Sequence, residues 1–492
     1  MDYLLEILRA RVYDVAIETP LQIAPLLSKR LENEVFLKRE DMQPVKSFKI
    51  RGAYNKMVNL DPLAAERGVV CASAGNHAQG VALSAKKLRL KAIIVMPKTT
   101  APVKLQAVKS FGGDYVEIVL HGETFAEALS HSKQLEADRG LTFVHPYDDP
   151  AVIVGQGTIG MEILRQFSKP IHAVFIAVGG GGMLAGIATY IKQVRPEIKI
   201  IGVQTVDSNS MAASLKAGQP VAIEDVGMFA DGTSIRMVGS ETLRLAKLYV
   251  DDLIEVTTDQ VCAALKDVFL DTRTVMEPSG AMSIAGANLY CHKNPELKNA
   301  NLICVACGAN INFDRLKFIV ERSELGQERL LLLAIRLRQR SLIELLRLLH
   351  RAIHDLSYDG DRVLLGVSVD DSEQANAVKA SLSSYDFVDL TANEYGKVHQ
   401  RYTTGSVQAE AVVRFEFQER TGAVLRLLER IFEASFQIVS VHYSCSGGDV
   451  ARVLVSIDGD RRTFVAFCEQ LGKPYRRFFD ETDNPAYRLF SH

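Results

Sequence analysis

Apolar residues follow two different patterns along the chain. Up to about Phe318, short wholly apolar runs alternate with stretches whose apolar positions fall at helical spacing. Ala92 to Met96 (AIIVM) predicts a buried strand, with Pro97 to Ala101 as the loop after it. Gly68 to Cys71, Thr142 to His145, Ala173 to Val178 and Ile200 to Gln204 read as further strands. Ala78 to Lys87 and Met183 to Val194 predict helices between them. Alternating strands and helices indicate an α/β protein with largely parallel sheets.

Beyond residue 325 the order of elements changes. Leu330 to Leu337 reads as an apolar strand, Ser341 to Ile353 as a helix with leucines at its spacing, and Val363 to Val369 as a strand again. The order recurs downstream: strand Ala411 to Phe417, turn Glu419 to Gly422, helix Ala423 to Phe432, then strands near Ile438 to Tyr443 and Ala451 to Ile457. Two successive units of this kind predict a pair of small α+β modules of the ferredoxin-like type. The repeat rests on element order, since the two sequences are not visibly alike. The expected division is residues 1–325, 330–402 and 410–490.

Composition agrees with a globular chain of several domains: 492 residues, 47% hydrophobic and 24% charged. A net charge of -2 gives no electrostatic reason to expect a nucleic-acid or anionic-membrane partner. No stretch is long and apolar enough to span a bilayer, and the N-terminus has no basic segment leading into an apolar run. Seven cysteines without a CxxC spacing read as reduced thiols, so a cytoplasmic location is expected.

Four segments carry candidate chemistry. In Ser47-Phe48-Lys49-Ile50-Arg51-Gly52, a lysine between apolar neighbours is open to burial, which lowers an amine's pKa as a Schiff-base lysine requires. Taken alone, an ordinary surface lysine reads the same way. In Ser73-Ala74-Gly75-Asn76-His77, small residues at a strand-to-helix turn leave backbone N–H groups for an anion such as a carboxylate. A tight turn is the alternative, and His77 reads as a neutral structural histidine. Gly179-Gly180-Gly181-Gly182 ends a strand and opens a helix, and it lets the backbone approach a phosphate; it is not the GxGxxG pattern. Cys307 follows the strand-like Leu302 to Ala306, where α/β folds face their ligands, although buried free cysteines are common.

Together and in this order, the four segments resemble the fold-type II pyridoxal-phosphate (PLP) enzymes, the tryptophan-synthase-β-like family. Within it they are most similar to the biosynthetic threonine ammonia-lyases, or threonine dehydratases. The resemblance extends to Lys38-Arg39-Glu40-Asp41, Gly155-Gln156-Gly157-Thr158, Glu277-Pro278-Ser279-Gly280-Ala281 and the ending Asp480 to Ala486. It implies a PLP catalytic domain followed by two ACT-like modules. By the same resemblance, Lys49 is the Schiff-base lysine and α-carbon base, with Phe48 packed near the ring. Asn76 bonds the ring hydroxyl, Ser73 to His77 grip the substrate carboxylate, and Gly179 to Gly182 with Met183 cup the phosphate. Cys307 stands opposite the pyridine nitrogen, where many relatives have serine.

The implied reaction is β-elimination from L-threonine to 2-oxobutanoate and ammonia, in isoleucine synthesis, with L-serine as a second candidate substrate. A neutral group at the ring nitrogen weakens the electron sink and suits prompt elimination. Ala74 stands where serine racemases carry a second serine, and Ile50 where threonine synthases carry aspartate. The resemblance also implies a homotetramer inhibited by isoleucine and relieved by valine. The first module departs from the pattern: its turn Arg338-Gln339-Arg340-Ser341 lacks the expected glycine, whereas the second keeps Thr421-Gly422. A catabolic serine/threonine deaminase, a β-replacement synthase and a non-catalytic amino-acid sensor are the competing readings. No metal-ligand cluster is visible, and Asp231 is a cation candidate by neighbourhood alone.

Overall fold

The computed structural model describes residues 1–326, 330–338, 342–349, 353–359, 362–393, 396, 410–418, 423–444 and 450–490. By its internal contacts the chain falls into two units, Met1–Ile311 and Asn312–His492. The helix Arg315–Gly326 therefore groups with the second unit rather than ending the first, as a boundary at 325 would have it.

The first unit holds two sheets. A six-stranded sheet runs Leu21–Ile23, Glu34–Arg39, Asn301–Ala306, Ala173–Ala177, Lys199–Thr205, Asp252–Val256, and only its first pair is antiparallel. A four-stranded parallel sheet runs Val116–Leu120, Ala92–Met96, Val69–Ala72, Thr142–Phe143. The central strands AIIVM and AVFIA are buried at every position, as strands covered by helices on both faces must be. Two elements start or stop differently from their sequence pattern. The strand at Thr142 ends at Phe143, and the helices begin at Asn76 and Gly182, one or two residues into the small-residue loops.

Three segments are tied by a buried charge cluster that periodicity does not reveal. Arg51 donates to both oxygens of Glu40 at 2.7 Å and to Glu162 at 2.6 and 2.9 Å. Lys38 donates to Glu162 at 2.6 Å and to the Thr19 carbonyl at 2.6 Å. All four charged side chains are fully buried, and two cations balance two carboxylates. Burial acts to raise the Glu40 carboxyl, but Arg51 beside it prevails and holds it below its usual value. The Lys-Arg-Glu-Asp run thus forms part of the frame beneath the helix Lys49–Val58, with Arg39 paired to Asp41 at 2.8 Å.

The second unit contains two antiparallel four-stranded sheets of one design. In the first module the sheet runs Ile353–Asp359, Arg362–Ser368, Leu330–Arg336, Asp386–Asp389; in the second, Gln437–Ser444, Val450–Asp458, Ala411–Gln418, Phe478–Asp480. Each follows the order strand, helix, two strands, helix, strand, so each is ferredoxin-like. The second helices, Ser372–Ser381 and Arg461–Gln470, and the short last strands add to the elements that the apolar pattern predicts. The helix expected over Ser341 to Ile353 spans Leu342–Leu349, and Ile353 opens a strand instead. The pairing of Ile353–Asp359 with Arg362–Ser368 overrides the leucine spacing there. Alternate residues of the first strand face two cores. Leu331, Leu333 and Ile335 pack on the module's own helices, while Leu332 and Ala334 meet Val412 and Leu454 of the second module. Arg338 takes a left-handed backbone, φ 56°, in the turn where a glycine was expected, and donates to Asp386 at 2.9 Å. Residues 339–341 and the turn 419–422 lie outside the described residues.

Candidate active site

A closed circuit of contacts joins the segments that the sequence singled out. Lys49 opens its helix and donates from Nζ to the Pro146 carbonyl at 2.7 Å. Tyr147, the next residue, lays its ring over the glycine loop: a Cβ on Gly180 would lie 2.3 Å from the ring. Gly181 sits at φ 94°, so the turn into the helix Gly182–Val194 needs glycine there. Thr242 holds the loop by donating to the Gly180 carbonyl at 2.7 Å. A Cβ on Gly179 would lie 3.0 Å from Thr233, whose hydroxyl is 3.3 Å from that of Ser279. The Ser279 carbonyl accepts from Cys307 Sγ at 3.2 Å, and the Phe48 amide donates back to the Cys307 carbonyl at 3.1 Å.

The Ser73–His77 turn joins the circuit from the other sheet. Asn76 donates to Glu277 Oε1 at 2.6 Å and accepts from Asn310 at 2.7 Å. The Ser73 hydroxyl accepts from the amides of Gly75 and Ala78, each at 3.3 Å. A Cβ on Gly75 would meet nothing within 4 Å, so the turn borders open space. Ala74 packs on the hydrophobic core beneath. His77 is buried, with Nε2 against the Val144 carbonyl at 2.8 Å and no partner on Nδ1. Met183 and Phe48 are also buried.

Electrostatics separate the groups by role. Burial lowers Lys49 to about 8, with Glu277 pulling the other way. Burial lowers His77 to about 3, helped by the charge of Lys49, and His145 to about 4. Both histidines are therefore neutral near pH 7, while a useful fraction of Lys49 is the free amine. Burial raises the Cys307 thiol well above its usual value, so it is present as the neutral thiol. Asp231 is paired with Lys104 at 2.9 Å. Among the described residues no group of three or more His, Cys, Asp or Glu is placed to hold a metal ion, and no helix is long and apolar enough to cross a membrane.

Residues 12–308 match the model of the family described as pyridoxal-phosphate dependent enzyme. The chain is 47% identical to the L-threonine dehydratase biosynthetic IlvA of Burkholderia multivorans, an alignment covering 99% of each. The chain belongs to the PLP-dependent enzymes, in the branch of the biosynthetic threonine dehydratases. It is 42% identical to the chloroplastic biosynthetic threonine dehydratase of Arabidopsis thaliana, covering all of this chain and 84% of that one. Among solved structures, the processed form of threonine deaminase isoform 2 from Solanum lycopersicum is 49% identical with a TM-score of 0.63. That likeness covers 65% of this chain and 92% of that one.

The site fits the cofactor of this PLP-dependent family. It offers a depressed amine at Lys49, a side-chain-free loop at a helix N-terminus after strand Ala173–Ala177, and a neutral thiol at the end of strand Asn301–Ala306. The arrangement is the fold-type II catalytic domain, with two ACT-like modules after it. Because an aldehyde condenses with the free amine alone, PLP uptake by the cofactor-free enzyme is expected to rise roughly tenfold per pH unit below about 8, then level off. Stopped-flow absorbance checks this. A rate that stays flat between about pH 6 and pH 9 would mean that another step, or another group, governs capture.

Proposed function

We propose that this protein is a threonine ammonia-lyase, removing the α-proton and β-hydroxyl of L-threonine so that the resulting enamine hydrolyses to 2-oxobutanoate and ammonia. The observation that carries the reading is the depressed Lys49 amine at the meeting point of the four loops. Bound PLP supplies the electron sink that makes the α-proton removable.

The chain's own groups do the rest. Lys49, half free base near pH 8, takes the α-proton at Nζ. The Pro146 carbonyl, an acceptor with no proton to give, holds that nitrogen in place and favours its protonated form. Gly179 to Gly182 and the Met183 amide receive the phosphate, where the helix N-terminus favours an anion. Asn76 would donate to the ring hydroxyl of the bound cofactor, and the neutral Cys307 would offer its ring nitrogen no charge to hold it protonated. The Ser73–His77 turn receives the substrate carboxylate, its Ser73 oxygen already ordering two of the local amides. His77 serves as packing rather than as an acid, since it is uncharged near pH 7 and its Nε2–H is given to the Val144 carbonyl.

The two ACT-like modules favour the biosynthetic role over a catabolic deaminase, and we assign them isoleucine inhibition opposed by valine in a homotetramer. Free buried thiols suit the reducing cytoplasm. The test is an assay of 2-oxobutanoate from threonine and pyruvate from serine, with isoleucine titrated at several threonine levels. Keto acid formed from threonine and suppressed by isoleucine is the expected outcome. Keto acid unaffected by isoleucine at every threonine level would leave the lyase standing and remove the control. The absence of keto acid with added PLP would favour a sensing protein.

A further inference from the structure

The contacts around Asn76 have a fixed polarity. Asn310 Nδ2 donates to Asn76 Oδ1 at 2.7 Å, and Asn76 Nδ2 donates to Glu277 Oε1 at 2.6 Å. An asparagine amide has two N–H donors on one side and a carbonyl on the other, so its orientation is set by its neighbours. Here both neighbours ask for the same one. With the amide turned over, its carbonyl would meet the Glu277 carboxylate and its NH2 would meet that of Asn310.

Both ends of this chain are anchored. Asn310 Nδ2 also donates to the Val45 carbonyl at 2.9 Å, fixing it beside the segment that leads into Lys49. Glu277 is 4% exposed, and its backbone amide donates to the Gly308 carbonyl at 3.2 Å. A Cβ on Gly308 would lie 2.3 Å from Glu277 Oε1, so the carboxylate occupies its place because residue 308 has no side chain. Gly308 follows Cys307, so the ring-nitrogen partner and the Glu277 seat are adjacent in sequence.

We propose that Asn310 and Glu277 are positioning residues that lock the Asn76 amide, so that the group it offers the cofactor's ring oxygen is always an N–H and never a carbonyl. The inference rests on the reading of Asn76 as the ring-hydroxyl partner. Glu277 accepts one of the two Asn76 N–H groups, which leaves the other as a donor. A donor there favours the ring oxygen as its anion, and a carbonyl would favour the protonated phenol.

Three near-isosteric variants of the holoenzyme test this, with Asn76→Ala as reference: Asn310→Asp, Glu277→Gln and the pair together. The readouts are the ratio of the visible to the near-ultraviolet absorption band of bound PLP across pH, and the PLP dissociation constant. Asn310→Asp places an acceptor where the Asn76 carbonyl needs a donor. It is expected to lower the band ratio and weaken PLP roughly tenfold, the size of one well-placed buried hydrogen bond. Glu277→Gln, which either donates or accepts, is expected to give a smaller shift of the same sign. Neither change should add to Asn76→Ala when combined with it.

If Asn76→Ala alters the bands and Asn310→Asp does not, the lock is overturned. If Asn76→Ala itself leaves bands and affinity at wild-type values, the ring-hydroxyl reading fails and the lock falls with it. Far-ultraviolet dichroism on the same samples identifies a variant that does not fold. In that event Asn310→Ser, which is smaller and still able to donate, takes its place, and a wild-type band ratio in Asn310→Ala beside it would equally overturn the proposal.

Discussion

Lys49→Ala is expected to lower threonine deamination by about 10⁴-fold or more while leaving the fold intact. General-base removal alone accounts for roughly 10²–10⁴ in rate, and in the proposed role the same residue would also hold the cofactor covalently. The structural cost is small. Lys49 is the first residue of its helix, and its Nζ donates to the Pro146 carbonyl. Alanine is a good helix former at such a position. The visible absorbance of bound PLP should disappear with the activity, and the dichroism spectrum should not change. Activity within a hundredfold of wild type would assign the proton transfer to another group.

The second large effect is one of stability. Arg51→Met is expected to destabilise the first unit by about 3–5 kcal/mol, because it leaves Glu40 and Glu162 buried with Lys38 as their one remaining cation in the cluster. Arg9→Met, at an exposed pair with Glu6, should cost less than about 1 kcal/mol. Urea unfolding followed by dichroism and limited proteolysis would separate the two, with the transition of the first unit moving in one variant and not in the other. Acid provides a second check. The folded Glu40 carboxyl lies below its unfolded value, so its contribution is present above the ordinary carboxylate range and is lost as pH falls through the depressed value. Equal unfolding midpoints for the two variants would mean that water or relaxation compensates the buried charges.

Much of the site was legible because small residues have few other reasons to cluster at the ends of apolar strands. Gly179 to Gly182 and Ser73 to His77 lie where strand patterns give way to helices, and the structure brings both beside Lys49 through Tyr147 and Glu277. Roles were harder to read. Arg51 and Glu162 are the clearest omissions: a charged residue within a helix pattern reads as solvated, and only the fold shows that these two meet. Glu277 and Asn310 stood inside quoted motifs, but their partner Asn76 is more than 200 positions away. Lys38-Arg39-Glu40-Asp41 carried a signal that could have been read, four charges within an otherwise apolar strand context, each needing a partner.

The second unit was legible by element order and missed in detail. The short strands Asp386–Asp389 and Phe478–Phe479-Asp480 carry little periodicity, and their pairing with the first strand of each module fixes them instead. The unbroken apolar run at Leu330 had the opposite origin. An edge module with one wet face should alternate, and this strand does not because neither of its faces is wet.

That double burial makes the two modules a single inheritance. Leu332, Ala334 and Leu364 on one side and Val412 and Leu454 on the other are solvent-free only while both sheets are present. A gene that lost either half would leave the surviving half with an adhesive apolar sheet face, of the kind that draws proteins into aggregates. The tandem is therefore free to diverge in sequence, as its unlike halves have done, but each half is constrained to keep the other.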